Sequence, residues 1–357
     1  MYVEDNEASC FRKIKSSFPM TKDIEGICTI PDRCISLGFF IHKMSSNLTT
    51  TIFDQNLMRR FPIYLILILA LPQCQTKSQK QDSTLTIAAQ LTTAQNQAWV
   101  NEHLDQVMQA SVFVAKNGHQ MPYRIFIPDD YRPDESLPLL IHLHGRGERG
   151  TDNNPKIYNN IPLFNGPRSI VSPNMQQRYR SIVLVPQCSD TTINEEWAKW
   201  VGNTPETPFE GLGEDGSYLM NDTPSSSGAA ALELIDYTID RYHIDKSRVY
   251  LTGLSMGGFG TWEFIGRRPE LFAAAVPMAG YSDPRTVDRI QSIPIWVFHS
   301  NIDQYNPVAG SRHMYQLLTE AGAEVLYTEY DSTTHGDTFQ RAWQNEELIP
   351  WIYSQQQ

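Results

Sequence analysis

The sequence is poor in cysteine, in positive charge and in long apolar runs, and each shortage closes off a class of protein. Its five cysteines are Cys10, Cys28, Cys34, Cys74 and Cys188. Three crowd the first 34 residues, and only Cys188 lies in the body of the chain. No C-x-x-C pair occurs, so neither a disulfide framework nor a zinc site is indicated and the fold must hold by packing. Asp and Glu (40) outnumber Lys and Arg (29), for a formal net charge of −11. Nucleic-acid binders gather Lys and Arg to neutralise phosphates; no basic stripe is found here, so no nucleic-acid partner is expected. No apolar run reaches the ~20 residues of a membrane-spanning helix, and no internal repeat is visible. What remains is a globular composition, 41% apolar and 19% charged, long enough to bury a sizeable core.

The one notable apolar run is short. Residues 58–74 read MRRFPIYLILILALPQC: two arginines, apolar residues from Phe61 to Leu71, then a cysteine and the polar stretch QTKSQKQDST. This is the size and order of a signal-peptide apolar region. It resembles a bacterial lipoprotein signal with Cys74 as the lipidated residue, although Gln73 stands where such signals usually carry a small residue. The expectation is an exported protein, periplasmic, secreted or attached to the outer membrane through an N-terminal lipid. An uncleaved membrane anchor is the other reading. Met58 sits where such a signal would begin, so residues 1–57 are expected to be a non-native or disordered extension. Residues 75–91 read as a linker.

From residue 92 to 357 the pattern is that of one folded domain. Residues 94–109 suit a helix. Ser111–Lys116 and Gln120–Pro128 are strand-like around Asn117-Gly118, a strong hairpin signal. Leu137–Leu143 and Ser181–Pro186 are continuous apolar runs, as buried parallel strands require. Ala229–Tyr242 places Ala231, Leu234, Ile235, Ile239 and Tyr242 on one helix face. Strands are expected at Arg248–Thr252, Phe272–Met278, Ile293–Phe298 and Glu324–Tyr330, with helices at Met256–Arg267, about 308–321 and about 338–353. Strands alternating with helices predict an α/β fold: a mostly parallel sheet flanked by helices, with the hairpin adding antiparallel strands at one edge. The stretch of about 189–226 breaks the rhythm and is read as an insertion over the sheet's C-terminal edge.

Chemistry-bearing residues fall at the strand ends. Gly253-Leu254-Ser255-Met256-Gly257 matches G-x-S-x-G between a strand (RVYLT) and a helix. By itself the pattern would recur by chance in roughly one chain in eight at ordinary Gly and Ser frequencies. In that context it is a nucleophile elbow: a sharp turn pushes the serine Oγ out of the sheet and leaves no room for neighbouring side chains. A base and an acid should follow in the order Ser, Asp/Glu, His. His335, in the loop after EVLYTEY, is the expected base; His299 closes a strand and His313 lies within a helix pattern. Asp303, after IPIWVFH, is the expected acid, with Asp331 and Asp337 as rivals. The backbone N–H groups of Met256 and Arg146 are the expected oxyanion donors, the latter from the loop His144-Gly145-Arg146-Gly147. The Arg146 side chain is expected either against substrate or in an ion pair with Glu148. Gln187 and Trp200 are placed at the pocket, with internal packing as the alternative for them and for Trp197.

With these residues in place, the phrases HLHGRGERG (142–150), VLVPQC (183–188), DYTIDRYHIDKSRVYLTGLSMGGFGTW (236–262), VFHSNID (297–303) and the THG around His335 resemble the esterase and "predicted peptidase" branch of the dienelactone-hydrolase and feruloyl-esterase-like α/β-hydrolases. The resemblance spans roughly residues 110–353. It implies hydrolysis of carboxylic esters, including esters of plant-wall carbohydrates, by an acyl-serine route that needs no metal or other cofactor. Where that family usually carries a small residue after His-Gly, this chain has Arg146. A serine peptidase of the same fold and an inactive carbohydrate-binding surface lipoprotein are the rival readings.

Overall fold

The computed structural model describes residues 90–189, 200–202 and 218–357. The expected extension, the signal with Cys74, nearly all of the linker, Trp197 and most of the insertion lie outside these residues.

The chain enters through helix α1 (Thr93–Val107), capped by Thr92 and Gln95. It then forms the hairpin β1 (Gln109–Val114) and β2 (Gln120–Phe126) around Asn117-Gly118, with Gly118 at φ +81°. Strand β3 (Leu137–Leu143) follows, then three short helices, α2 (Lys156–Asn159), α3 (Pro162–Asn165) and α4 (Pro173–Arg178), and strand β4 (Ile182–Pro186). After the insertion come α5 (Ser226–Arg241), β5 (Ile244–Leu254), α6 (Met256–Arg267), β6 (Ala274–Met278) and α7 (Val287–Ile290). Strand β7 (Ile295–Ser300), α8 (Val308–Glu320), β8 (Val325–Tyr330), α9 (His335–Gln344) and α10 (Leu348–Ser354) complete the body. The eight strands form one sheet in the order β1-β2-β4-β3-β5-β6-β7-β8. Both pairings of β2 are antiparallel and every other pairing is parallel.

Burial follows position in the sheet. Every residue of β3 and β4 is buried, while the edge strands β1 and β8 are largely exposed or half-exposed. Along β3 the side chains alternate. Leu139, Ile141 and Leu143 join the cluster under α5 and α6, and Leu140 joins the opposite cluster with residues of α1, α9 and α10. Successive residues of a strand point to opposite faces, so a continuous apolar run is what a doubly covered strand needs. Helix α5 is capped by Ser225, whose Oγ accepts from the Gly228 N–H at 2.9 Å. It buries Ala231, Leu234, Ile235 and Ile239 as the spacing predicts.

One helical expectation is corrected. The stretch of about 338–353 is two helices, broken after Gln344. Asn345 turns to extended geometry and its side chain accepts from the Glu347 N–H. Pro350 forbids a continuous helix, since it has no N–H to donate one turn back; it is accommodated only in the first turn of α10.

Candidate active site

Parallel strands of one sheet end together, so the loops after β3, β5, β7 and β8 share an edge, and the chemistry-bearing residues meet there. Ser255 directly follows β5 in a strained conformation (φ 53°, ψ −118°) and heads α6. Its N–H is held by the Met278 carbonyl of β6 at 2.8 Å. The turn is closed by packing: a Cβ on Gly257 would overlap the Leu143 carbonyl and stand 2.8 Å from that of His144.

His335 Nε2 lies 2.8 Å from Ser255 Oγ, and its Nδ1 lies 2.6 Å from Asp303 Oδ2. A carboxylate only accepts, so the imidazole proton sits on Nδ1 and Nε2 is left to accept from the serine. His335 is not in a loop, as the sequence suggested, but is the first residue of α9. The Asp337 carboxylate accepts from the N–H and hydroxyl of Thr334 and fixes that helix start. This occupies one rival acid; the other, Asp331, accepts from Asn301 Nδ2 at 3.0 Å.

The Asp303 side chain is fully buried and fully partnered. Its Oδ1 accepts from the N–H groups of Tyr305 and Asn306, each at 2.9 Å. Its Oδ2 faces both His335 and His299 Nε2, the latter at 3.3 Å. Because Nε2 of His299 also faces the Asn306 carbonyl at 3.0 Å, two acceptors meet it and it must carry a proton. His299 therefore stands behind Asp303 as a second donor, a contact that its place at a strand end did not reveal. Burial pulls the Asp303 carboxyl upward, but the hydrogen bonds from His299 and His335 outweigh it and hold it below the usual carboxylate range. A carboxyl depressed in the folded state stabilises above its unfolded value of about 3.9, and that contribution is lost as pH falls through the folded value. Asp303→Asn is thus expected to lose less thermal stability than the wild type between pH 7 and pH 3. Parallel melting curves across that range would contradict the assignment of the depressed carboxyl.

Arg146 and Met256 each open a helical segment, the 3-10 turn Arg146–Glu148 and α6, so their N–H groups have no acceptor within those segments. The turn is riveted from behind. His144 Nε2 accepts from the Cys188 N–H at 2.9 Å, and its Nδ1 donates to the Gly145 carbonyl at 2.7 Å. Burial pushes this imidazole down to about 3, so it stays neutral as both contacts require.

Gln187 and Trp200, expected at the pocket, are corrected by the structure. Both are fully buried and neither lines the cavity. Trp200 Nε1 donates to the His144 carbonyl at 3.0 Å, and Gln187 braces Asn153, Asp152 and the Glu148 carbonyl. An indole and an amide have donors that burial obliges them to satisfy, and here they satisfy them on the loop beside Ser255. The expected alternative of an Arg146–Glu148 ion pair is not formed; both side chains border the cavity.

That cavity measures about 540 Å³. Besides Ser255, His335 and the 145–148 loop, its walls carry Leu254, Tyr305, Asn306 and Phe339. Tyr305 and Phe339 each meet the His335 ring edge-on, at 5.2 and 5.0 Å. Sequence reasoning missed these four, though Phe339 lies four residues after His335 on α9 and Tyr305 two after Asp303. No group of three or more potential metal-ligating side chains occurs among the described residues, and no described helix is long and apolar enough to cross a membrane.

Comparison with known proteins agrees with this architecture. The model of the prolyl oligopeptidase family matches residues 229–307, from α5 through Asp303. A solved thermostable esterase is 36% identical, with a TM-score of 0.59 over 71% of this chain and 64% of that one. Acetylxylan esterase A of Emericella nidulans is 28% identical over 46% of this chain and 55% of its own length. Cutinase 2 of Thermobifida cellulosilytica is 30% identical over 48% and 65%. The chain thus spans only about half to two thirds of the length of these relatives. Sheet order, the turn at Ser255 and these likenesses together give the chain the α/β-hydrolase fold, and the relatives named are esterases and a cutinase.

Proposed function

We propose that the protein is a serine carboxylic-ester hydrolase. The observation that carries this is the hydrogen-bonded series Ser255–His335–Asp303 bordering the cavity. In this reading Ser255 Oγ attacks the ester carbonyl while His335 Nε2 takes its proton. Asp303 keeps the imidazole in the required tautomer and stabilises the imidazolium. The N–H groups of Met256 and Arg146 receive the developing oxyanion. His335 then protonates the departing alcohol, and in the second half it activates the water that releases the acid. No cofactor enters this scheme.

The substrates we propose are small or carbohydrate-borne esters, acetyl or feruloyl. The acetyl case is supported by the acetylxylan esterase among the relatives. Export is supported by the signal-like residues 58–74, and attachment to a membrane through a lipid on Cys74 is part of the same proposal. The prolyl oligopeptidase match favours a peptidase as the second reading.

The test is a fluorophosphonate probe followed by a substrate panel: acetyl, butyryl and feruloyl esters, acetylated xylan, and an aminoacyl amide. Stoichiometric labelling of Ser255 with turnover of esters over the amide is the expected result. An unlabelled protein would refute the hydrolase, and preference for the amide would favour the peptidase.

A further inference from the structure

The cavity wall holds a carboxyl that the scheme above does not use. Glu148 ends the 3-10 turn that begins at Arg146, and its side chain lines the cavity with Ser255. The point where a Cβ on Gly145 would stand lies 3.0 Å from Glu148 Oε2 and 3.7 Å from Ser255 Cβ, which brings the carboxyl close beside the nucleophile. Burial pushes this carboxyl up, against the backbone N–H groups of Glu148 and Gly145 and the charge of Lys156. Among the described residues no cation stands within ion-pair distance of it; Lys156 Nζ is turned to the Arg149 carbonyl instead. A carboxylate has about four acceptor positions, and the two nearby backbone N–H groups cannot fill them all. A half-buried carboxyl without a charged partner is costly to keep, and a donor arriving from the cavity would offset that cost.

The same cavity offers an apolar platform. Tyr305 is 71% exposed, with its ring set edge-on to His335. A flat exposed aromatic and a carboxylate acceptor bordering one cavity match a ring whose C–H face is apolar and whose edge carries hydroxyls.

We propose that Glu148 accepts a hydrogen bond from a hydroxyl of a sugar that bears the ester, with the Tyr305 ring as the surface under that sugar. This rests on the ester-hydrolase reading and names the residues that select hydroxylated over plain esters. It also gives the short loop after β3 a second task beside supplying an oxyanion donor.

A matched pair of substrates tests it: a monoacetate of methyl β-xyloside and cyclohexyl acetate, which share the acyl group and ring size and differ in free hydroxyls. Steady-state kinetics are compared for the full chain and for Glu148→Gln, whose amide oxygen can still accept from the Gly145 N–H. A hydrogen bond to a charged group is commonly worth about a tenfold effect or more. The ratio of kcat/KM, xyloside acetate over cyclohexyl acetate, is therefore expected to fall at least about tenfold in the variant, chiefly through KM on the xyloside. A purely structural role would lower both substrates alike and leave the ratio unchanged, which overturns the proposal. A wild type that hydrolyses cyclohexyl acetate without favouring the xyloside ester overturns it alone. A wild type that hydrolyses neither and takes no fluorophosphonate overturns this proposal together with the reading it rests on.

Discussion

Replacing Ser255 by Ala is expected to cut turnover of a short-chain aryl ester by at least about a thousandfold while leaving the melting temperature almost unchanged. The substitution removes one oxygen whose hydrogen-bond partner in the site is His335 Nε2. It leaves the backbone demand as it was, because Ala at φ 53° is as strained as Ser. What survives is the background from the oxyanion donors and substrate positioning. Ser255→Gly should be equally inactive yet more stable than Ser255→Ala by about 1 kcal/mol, since glycine accepts positive φ without a Cβ penalty. Near wild-type hydrolysis by Ser255→Ala would remove the nucleophile assignment. Equal melting temperatures of the two variants would instead question the strain.

The second large effect concerns stability. Gly→Ala within a helix ordinarily gains up to about 1 kcal/mol. Gly257 is the second residue of α6, and there the sign should reverse, because the new methyl would overlap the Leu143 carbonyl at the end of β3. Both offending neighbours are main chain, Leu143 and His144, so no side chain can rotate away. Relief requires β3 and α6 to separate. A cost of about 3 kcal/mol or more is expected, a fall in melting temperature of about 5–10 °C for a domain of this size. Activity should fall further than stability, because the same shift moves Ser255 relative to the 145–148 loop. A Gly257→Ala variant as stable as the wild type would show that the close approach is not a constraint.

Much of this site was legible in the sequence, and for identifiable reasons. Local pattern fixes local geometry. RVYLT before G-x-S-x-G specified strand, turn and helix, and the bounds of α6 are those expected, Met256–Arg267. Topology fixes order along the chain, so His335 and Asp303 could be chosen from the strands they follow. What escaped depends on where long side chains point once the chain has folded. Gln187 read as a pocket residue because it sits at a strand's end, and Trp200 because it lies in the insertion. Their direction is set instead by donors that burial forces them to satisfy, on His144 and on the Glu148 backbone. His299 escaped for the converse reason: the turn after β7, closed by the Asp303 N–H on the Ser300 carbonyl, brings Asp303 back over it. Glu148 lay inside a phrase already singled out and Tyr305 two residues past another, yet nothing in the letters said which side chains would face the cavity. The start of α9 was missed because its cap comes from Asp337, a residue first weighed as a catalytic acid.

Strand order acts as a ruler for this site. Neighbouring strands stand about 4.8 Å apart, and β5, which carries Ser255, is separated from β7, which leads to Asp303, by β6 alone. Ser255 and Asp303 are thereby set roughly two strand widths, about 10 Å, apart at their roots, a gap that the single imidazole of His335 bridges from the start of α9. Strand β6 contributes no reacting group; its part is its width, and the Met278 carbonyl that tethers the Ser255 N–H. Loops on this edge are therefore free to lengthen, shorten and change substrate. The spacing beneath them stays with the hydrogen-bonded strands of the sheet.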